Sequence, residues 1–296
     1  MSRLSLVLTL LTGLLAACSA RADLRLVHSE RSLYREVLVY ENGDVRCMCF
    51  TRSCRVGRQS CINTRHPDRI VMSYPQMMLG ALFVNPAPRS VLIVGLGGGT
   101  LPRALRQMLL DVHIDVVEID PAVVRVANRY FQFAADASTR VFESDGRVYV
   151  KRAQRSGQRY DLIMLDAFDH EYIPEHLLTQ EFLEEVKSLL TPDGVLAANT
   201  FSSSRLYDYE SVTYEKVFAK FFNLKRENRV IIARLGALPD PAQLRANSEH
   251  FVAAFNSFGF NVNEVLPLFT QERDWNPRAR VLTDQYSPAN LLNLDR

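Results

Sequence analysis

Four carboxylates in this 296-residue chain stand where acids could do chemistry on a bound ligand: Glu118, Asp145, Asp166 and Asp169. Glu118 closes a strand read over residues 114–117, which lies beyond the cluster Gly95, Gly97, Gly98 and Gly99. That offset, about 20 residues, is the one at which an acid accepts both hydroxyls of a ribose. Asp145 and Gly146 follow the next strand, read over residues 140–143. Asp145 either accepts from an adenine amino group or caps the helix expected over residues 147–154, and both readings stand. Asp166 and Asp169 follow a third run, residues 161–165, and open a segment that also holds His170 and Glu171, with Glu175 just beyond. An acidic rim of this kind over a nucleoside pocket suits a cationic substrate.

The elements that position these acids follow from hydrophobic patterning. Residues 91–94, Val-Leu-Ile-Val, form an unbroken β-branched and aliphatic run, the pattern of a parallel strand covered on both faces. The glycines after it allow a tight turn and a close backbone approach to a ligand. A helix then starts with Thr100 as cap and Pro102 in its first turn, its apolar face marked by Leu101, Leu105, Met108 and Leu109. Asp120 precedes Pro121 and reads as the cap of the next helix. Beyond the acidic segment, Thr179 caps a helix over 179–190, residues 191–194 turn, and 195–199 form a strand. Ser202, Ser203 and Ser204 make a helix-entry loop; no histidine has the spacing to make one of them a nucleophile. Helices over 207–222 and 241–255 flank a strand at 229–233. Strands alternating with helices, each acid at a carboxyl edge, give an α/β, doubly wound sheet that binds its ligand along that edge.

A smaller unit of about residues 21–87 precedes this sheet, which occupies 88–296. Residues 35–40 and 45–50 alternate as two strands of a hairpin turned at Asn42-Gly43. Residues 67–83 read as helix, with Met77, Met78, Leu79 and Leu82 as core, and Pro86 and Pro88 break it. Cys47, Cys49, Cys54 and Cys61 crowd into this unit. Cys47 and Cys49 alternate along one strand, so each pairs more readily with Cys54 or Cys61 than with the other, the choice being open. Zinc is the rival reading, but the spacing lacks a C-x-x-C knuckle.

Residues 1–20 read as a signal peptide: Arg3 gives a basic start, residues 4–17 are apolar but too short to span a bilayer, and Leu15-Ala16-Ala17-Cys18 has the form of a lipobox. Cleavage falls before Cys18 or near Ala20. Lipid on Cys18 would leave an even four of the five cysteines for an oxidising compartment. The expected location is the periplasmic face of a bacterial membrane; Ser19 rather than Asp after the cysteine points, by resemblance to other lipoproteins, to the outer membrane.

A net charge of +2 and a pI near 8.3 are too mild to suggest nucleic-acid binding. With 47% hydrophobic residues the chain can bury one large core plus a small appended unit. His28, His66, His113, His176 and His250 are scattered and form no metal pattern. Trp275 reads as a packing residue.

The order Gly-Gly-Gly, Val-Glu-Ile-Asp, Asp-Gly and Asp-x-x-Asp, followed by the helix near Thr179, resembles the spermidine synthases, polyamine aminopropyltransferases on the Rossmann-like fold of the S-adenosylmethionine methyltransferases. The resemblance runs from about residue 24 to 293 and is closest to bacterial spermidine-synthase-like domains with Gly-Leu-Gly-Gly-Gly-x-Leu-Pro. It implies aminopropyl transfer from decarboxylated S-adenosylmethionine to a diamine such as putrescine, without a metal. Asp166 would be the base and Asp169 a holder of the diamine; Glu118 would bind ribose, Asp145 and Gly146 the adenine side, and Gln59 and Tyr74 would line the pocket. A homodimer is a further expectation. Two departures bear on this: Thr100 replaces an acid that in true spermidine synthases follows the glycines, and Tyr74-Pro75-Gln76 replaces Tyr-His-Glu. Both remove charge that would hold ammonium groups, so methyl transfer from intact S-adenosylmethionine is the second reading. A binding protein for nucleosides or polyamines, without chemistry, is the third, since such cofactors are made in the cytoplasm.

Overall fold

The computed structural model describes residues 24–54, 57–167 and 173–288. The signal peptide, Cys18 and Asp169 lie outside the described residues. The chain opens with a four-stranded antiparallel sheet in the order β1 (Arg25–Arg31), β2 (Glu36–Asn42), β3 (Val45–Cys49) and β4 (Arg58–Asn63). Cys47 stands directly across from Cys61 in the β3–β4 register and is bonded to it, while Cys49 is bonded to Cys54, with Cα–Cα separations of 4.1 and 5.5 Å. The open choice between partners is thereby resolved, and the four sulfurs are not available to zinc. Two short helices, α1 (Ser73–Leu79) and α2 (Ala81–Val84), lead to the second sheet.

That sheet has seven strands. β5 (Ser90–Val94), β6 (His113–Glu118), β7 (Thr139–Glu143), β8 (Tyr160–Leu165) and β9 (Leu190–Phe201) run parallel, and β10 (Phe221–Lys225) and β11 (Asn228–Arg234) complete the order β10-β11-β9-β8-β5-β6-β7, with β11 antiparallel to both neighbours. Helices α3 (Thr100–Met108), α4 (Pro121–Tyr130), α5 (Gly146–Arg155), α6 (Gln180–Ser188) and α7 (Tyr207–Phe218) connect the strands, and α8 (Pro241–Glu249), α9 (Val252–Ser257) and α10 (Val262–Val265) follow. The apolar run in β5 is buried on both faces, as its composition requires. Val91 and Ile93 point into a core shared with Val37, Val39 and Met48 of the small sheet, whereas Leu92 and Val94 point into a second core with Val150, Phe182 and Val186. The small sheet also grips α4, through Ser32 to Asp120 at 2.6 Å and Arg125 to Glu30 at 2.9 Å. Strand order reverses about β5, whose neighbours β6 and β8 lead away in opposite directions, so a crevice opens at its carboxyl end.

Several local expectations need correction. Thr100 does not cap α3; the cap position is Gly99 at φ +75°, and Thr100 is the first helical residue. Asp120, Asp145 and Thr179 do cap, accepting from the backbone N–H groups of Ala122, Val148 and Phe182. The helix expected over 67–83 begins only at Ser73, because Ile70 bridges to Ile62 of β4. The turn at 191–194 is an excursion within β9, between the pairs Tyr160–Leu190 and Leu162–Val195. The helix expected to 222 ends at Phe218, with Ala219 at φ +61°, and Phe221 and Phe222 start β10 with one ring in each core. The helix expected over 241–255 is broken at His250 and Phe251 into α8 and α9. The strands β1, β4 and β10 were not anticipated. Among the described residues no helix is long and apolar enough to cross a membrane.

Candidate active site

The crevice at the end of β5 is a cleft of about 900 Å³ of empty space, its open mouth included. Backbone bonds draw four strand ends together here, those of β5, β6, β7 and β8: Gly95 N–H donates to Val117 O at 2.8 Å, Asp166 N–H to Val94 O at 2.7 Å, and Ser144 N–H to Glu118 O at 3.0 Å. Gly95 needs its freedom, with φ +100° and the Asp166 carbonyl oxygen only 2.3 Å from where a Cβ would stand.

Gly95, Gly97, Glu118, Asp145, Gly146, Asp166, Tyr74 and Gln59 all face this cleft. Gly98 and Gly99, expected among the cofactor contacts, do not; a Cβ on either would run into Phe131 or Phe133, so they serve the packing of the loop. Thr100 is also outside the cleft, beside a separate small cavity with Pro67, Arg69 and Phe258, and the loop lines the cleft through Gly95, Leu96 and Gly97. The residue at position 100 therefore does not contribute to the lining of the cleft. Gln76 is turned away too, hydrogen-bonded to Ile70 O and to Arg226.

Glu118 accepts from the backbone N–H groups of Leu96 and Asp120, both at 3.0 Å, which fixes its carboxylate under the glycine loop. Burial raises its pKa in spite of these bonds.

Asp166 is the most perturbed acid in the cleft. Burial pushes its carboxyl up to about 7; hydrogen bonds from Asn199 and Tyr74 oppose the shift, and the charge of Glu118 adds to it. Asn199 Nδ2 lies 2.9 Å from Asp166 Oδ1, and Asn228 Nδ2 donates in turn to Asn199 Oδ1 at 3.2 Å. Tyr74, buried against the same carboxylate, has its pKa driven well above the ordinary 10, chiefly by burial, and remains a donor. A fixed carboxylate that takes up a proton near neutrality is suited to accept one from a substrate.

Sequence reasoning missed Asn199, although it sits at the carboxyl edge of β9 and the rule that found the three acids could have found it. It also missed Arg35 and Phe50, which line the cleft with the guanidinium 4.4 Å from the ring centroid. His176 was set aside for lack of a metal pattern, yet it lines the cleft beside Asp145.

The spermine/spermidine synthase domain matches residues 72–232 of this chain. A polyamine aminopropyltransferase of Vibrio vulnificus is 47% identical over 272 residues, covering 90% of this chain and 91% of that protein. Among solved structures, the spermidine synthase of Thermotoga maritima superposes with a TM-score of 0.60 at 19% identity, covering 84% of this chain and 85% of that one. Human methyltransferase-like protein 13, in complex with SAH, gives 0.57 at 24% identity over 75% of this chain and all of that one. These two likenesses establish the shared fold.

Proposed function

Because the chain belongs to the spermine/spermidine synthase family, a family of transferases, we propose that it moves the aminopropyl group of decarboxylated S-adenosylmethionine to the amine of a diamine such as putrescine. The observation that carries this reading is Asp166, buried in the cleft with a pKa near neutrality and held by Asn199 and Tyr74. An ammonium has no lone pair with which to attack. Asp166 takes its proton, the freed nitrogen forms a bond to the aminopropyl carbon, and the C–S bond breaks with its electron pair passing to sulfur. The products are the lengthened polyamine and neutral methylthioadenosine.

Each part of the cleft has a role in that displacement. Glu118 holds the ribose hydroxyls, the Gly95–Gly97 turn lets the backbone approach the nucleoside, and Gln59 of the small sheet and Tyr74 of α1 close the wall. Asp169, outside the described residues, would by the family resemblance hold the far end of the diamine. The sulfonium loses its charge as the bond breaks, so the site must not hold that cation tightly in the ground state. The uncharged Gly97 at the turn suits this requirement.

Titration calorimetry with decarboxylated and intact S-adenosylmethionine tests the reading. Preference for the decarboxylated form, with amine-dependent release of methylthioadenosine, supports it. Preference for the intact form would favour methyl transfer, and binding of a polyamine with neither cofactor would favour a non-catalytic protein. The mature chain is further read as exported and lipid-anchored at Cys18, a reading supported by the basic, apolar and cysteine order of residues 1–18 and by the pairing of the remaining four cysteines in disulfides. Metabolic labelling with a palmitate analogue, lost in Cys18→Ala, tests the anchor.

A further inference from the structure

Leu33 and Tyr34 form the tip of the turn between β1 and β2, and they are 99% and 50% exposed. A lone exposed leucine needs no explanation, but here two large apolar side chains stand side by side, with Arg31 before them and Arg35 after. β1 is the outer strand of the small sheet, and Leu26 near its other end is 49% exposed. One edge of the small sheet thus offers apolar side chains at both ends.

Charge is concentrated in the same unit. Residues 21–87 hold ten arginines and no lysine against six acids, a net charge of +4, whereas the whole chain stands at +2. The acids beside the edge are shared between cations. Glu36 stands across from Arg31 in the β1–β2 register and 3.4 Å from Arg52, and Glu41 serves both Arg25 and Arg46. Each carboxylate is divided between two guanidiniums, so positive charge is left over along β1 and β2. The side chains of Arg25 and Arg52 are 71% and 83% exposed. Leucine and tyrosine set among arginines suit a lipid headgroup layer: the apolar parts sink to the acyl boundary while the guanidiniums bond phosphates.

We infer that the β1 edge and its Leu33–Tyr34 turn dock on an anionic phospholipid bilayer. The inference rests on the reading of Cys18 as the lipid-bearing residue, which puts a bilayer beside this sheet. The chain from Cys18 to Arg25 can reach at most about 25 Å when extended, so an anchored chain keeps β1 close to the membrane. A symmetric pair of copies joined at this turn would set arginines against arginines, so charge favours lipid over a second copy. Ser32 of the same turn donates to Asp120 at 2.6 Å, and Asp120 lines the cleft. Docking therefore holds the cleft beside an anionic surface, where cationic amines are concentrated.

The test is vesicle flotation with the mature chain from Ser19 onward, made without lipid and keeping every described residue. Vesicles of phosphatidylethanolamine with phosphatidylglycerol should bind it on the order of 100-fold more tightly than vesicles of phosphatidylcholine, and high salt should remove the difference. Leu33→Ser with Tyr34→Ser should weaken binding to the anionic vesicles by on the order of tenfold, with thermal unfolding unchanged because both side chains are exposed. Arg31→Gln with Arg52→Gln should cut the preference for anionic lipid by a similar factor. Equal binding to the two kinds of vesicle, or no effect of the Leu33 and Tyr34 changes, would overturn the inference. So would self-association in sedimentation that the same two changes abolish, since a second copy would then cover the turn. Failure of the anchor reads differently: labelling at Cys18 is then absent while the unlipidated chain still selects anionic vesicles.

Discussion

Asn199 donates from β9 to Asp166 at the end of β8, Nδ2 to Oδ1 at 2.9 Å, so the carboxylate assigned as the base is fixed by the neighbouring strand of its own sheet. Turnover should need the ionised carboxylate. Below pH 7 the proposed kcat/KM should fall tenfold per pH unit and above it level off, as expected for a base held up to about 7. Asn199→Leu removes a bond that pulls this pKa down, so the acid limb of the profile should move to higher pH. A limb unmoved by that substitution would show that Asn199 does not act on the base.

Asp166→Asn should abolish turnover while leaving nucleoside affinity within about twofold. It should also alter stability with a defined sign. A carboxyl raised from 3.8 to about 7 by burial penalises the ionised folded state, by roughly 4 kcal/mol at most, above pH 7. The penalty is absent below about pH 4, where both folded and unfolded forms are protonated, and it grows as pH rises to 7. Urea unfolding should therefore find Asp166→Asn more stable than wild type at pH 8 and equal to it at pH 4.

Glu118 has its two oxygens on separate backbone donors, leaving lone pairs for two ribose hydroxyls. Glu118→Gln should weaken methylthioadenosine binding by on the order of 100-fold, the scale of losing charge-assisted bonds. The 2′,3′-dideoxy analogue should bind wild type and variant alike, and calorimetry with the two ligands checks this.

Glu210 and Arg229 are fully buried, and among the described residues neither the Glu210 oxygens nor the two Arg229 Nη atoms have a hydrogen-bond partner. They are held by mutual charge, by Arg229 Nε to Asn223 Oδ1 at 2.8 Å and by the Tyr207 ring, 4.2 Å from the guanidinium. Arg229→Met alone should cost roughly 3–5 kcal/mol because it strands a buried acid. Glu210→Leu with Arg229→Met should cost clearly less than the two single changes together, a coupling that a double-mutant cycle by urea unfolding measures.

The Cys47–Cys61 bond closes a loop of 14 residues' separation. Replacing both cysteines by Ala should cost about 3 kcal/mol, the chain-entropy value for a loop of that length. The oxidised native protein should show no reaction of residues 47, 49, 54 and 61 with a thiol reagent.

The apolar run of β5 and the acids at the ends of β6, β7 and β8 were legible because a parallel strand covered on both faces is mostly apolar and ligand-facing residues collect at its carboxyl end. Asp120 and Thr179 were legible as caps because capping depends on a few neighbouring backbone groups. The edges of the sheets were harder. β1 and β10 alternate weakly, and the run Phe218, Phe221, Phe222 satisfies a helical period as well as a strand period. Ala219 in the left-handed region decides for the strand, and nothing in local composition announces it.

By itself the sequence determined which strand ends carry acids, where the glycine turn lies and that Cys47 and Cys49 pair less readily with each other than with Cys54 or Cys61, since these depend on period, spacing and reach along one segment. Only the tertiary structure decided that Gly98, Gly99 and Thr100 stand outside the cleft, that Gln76 turns to Arg226, that Asn199 holds Asp166 and that His176 lies beside Asp145. Each of those outcomes is a contact between segments far apart in the chain, or the direction of a side chain about a turn, and it is set by packing across strands and helices that no single stretch of sequence encodes.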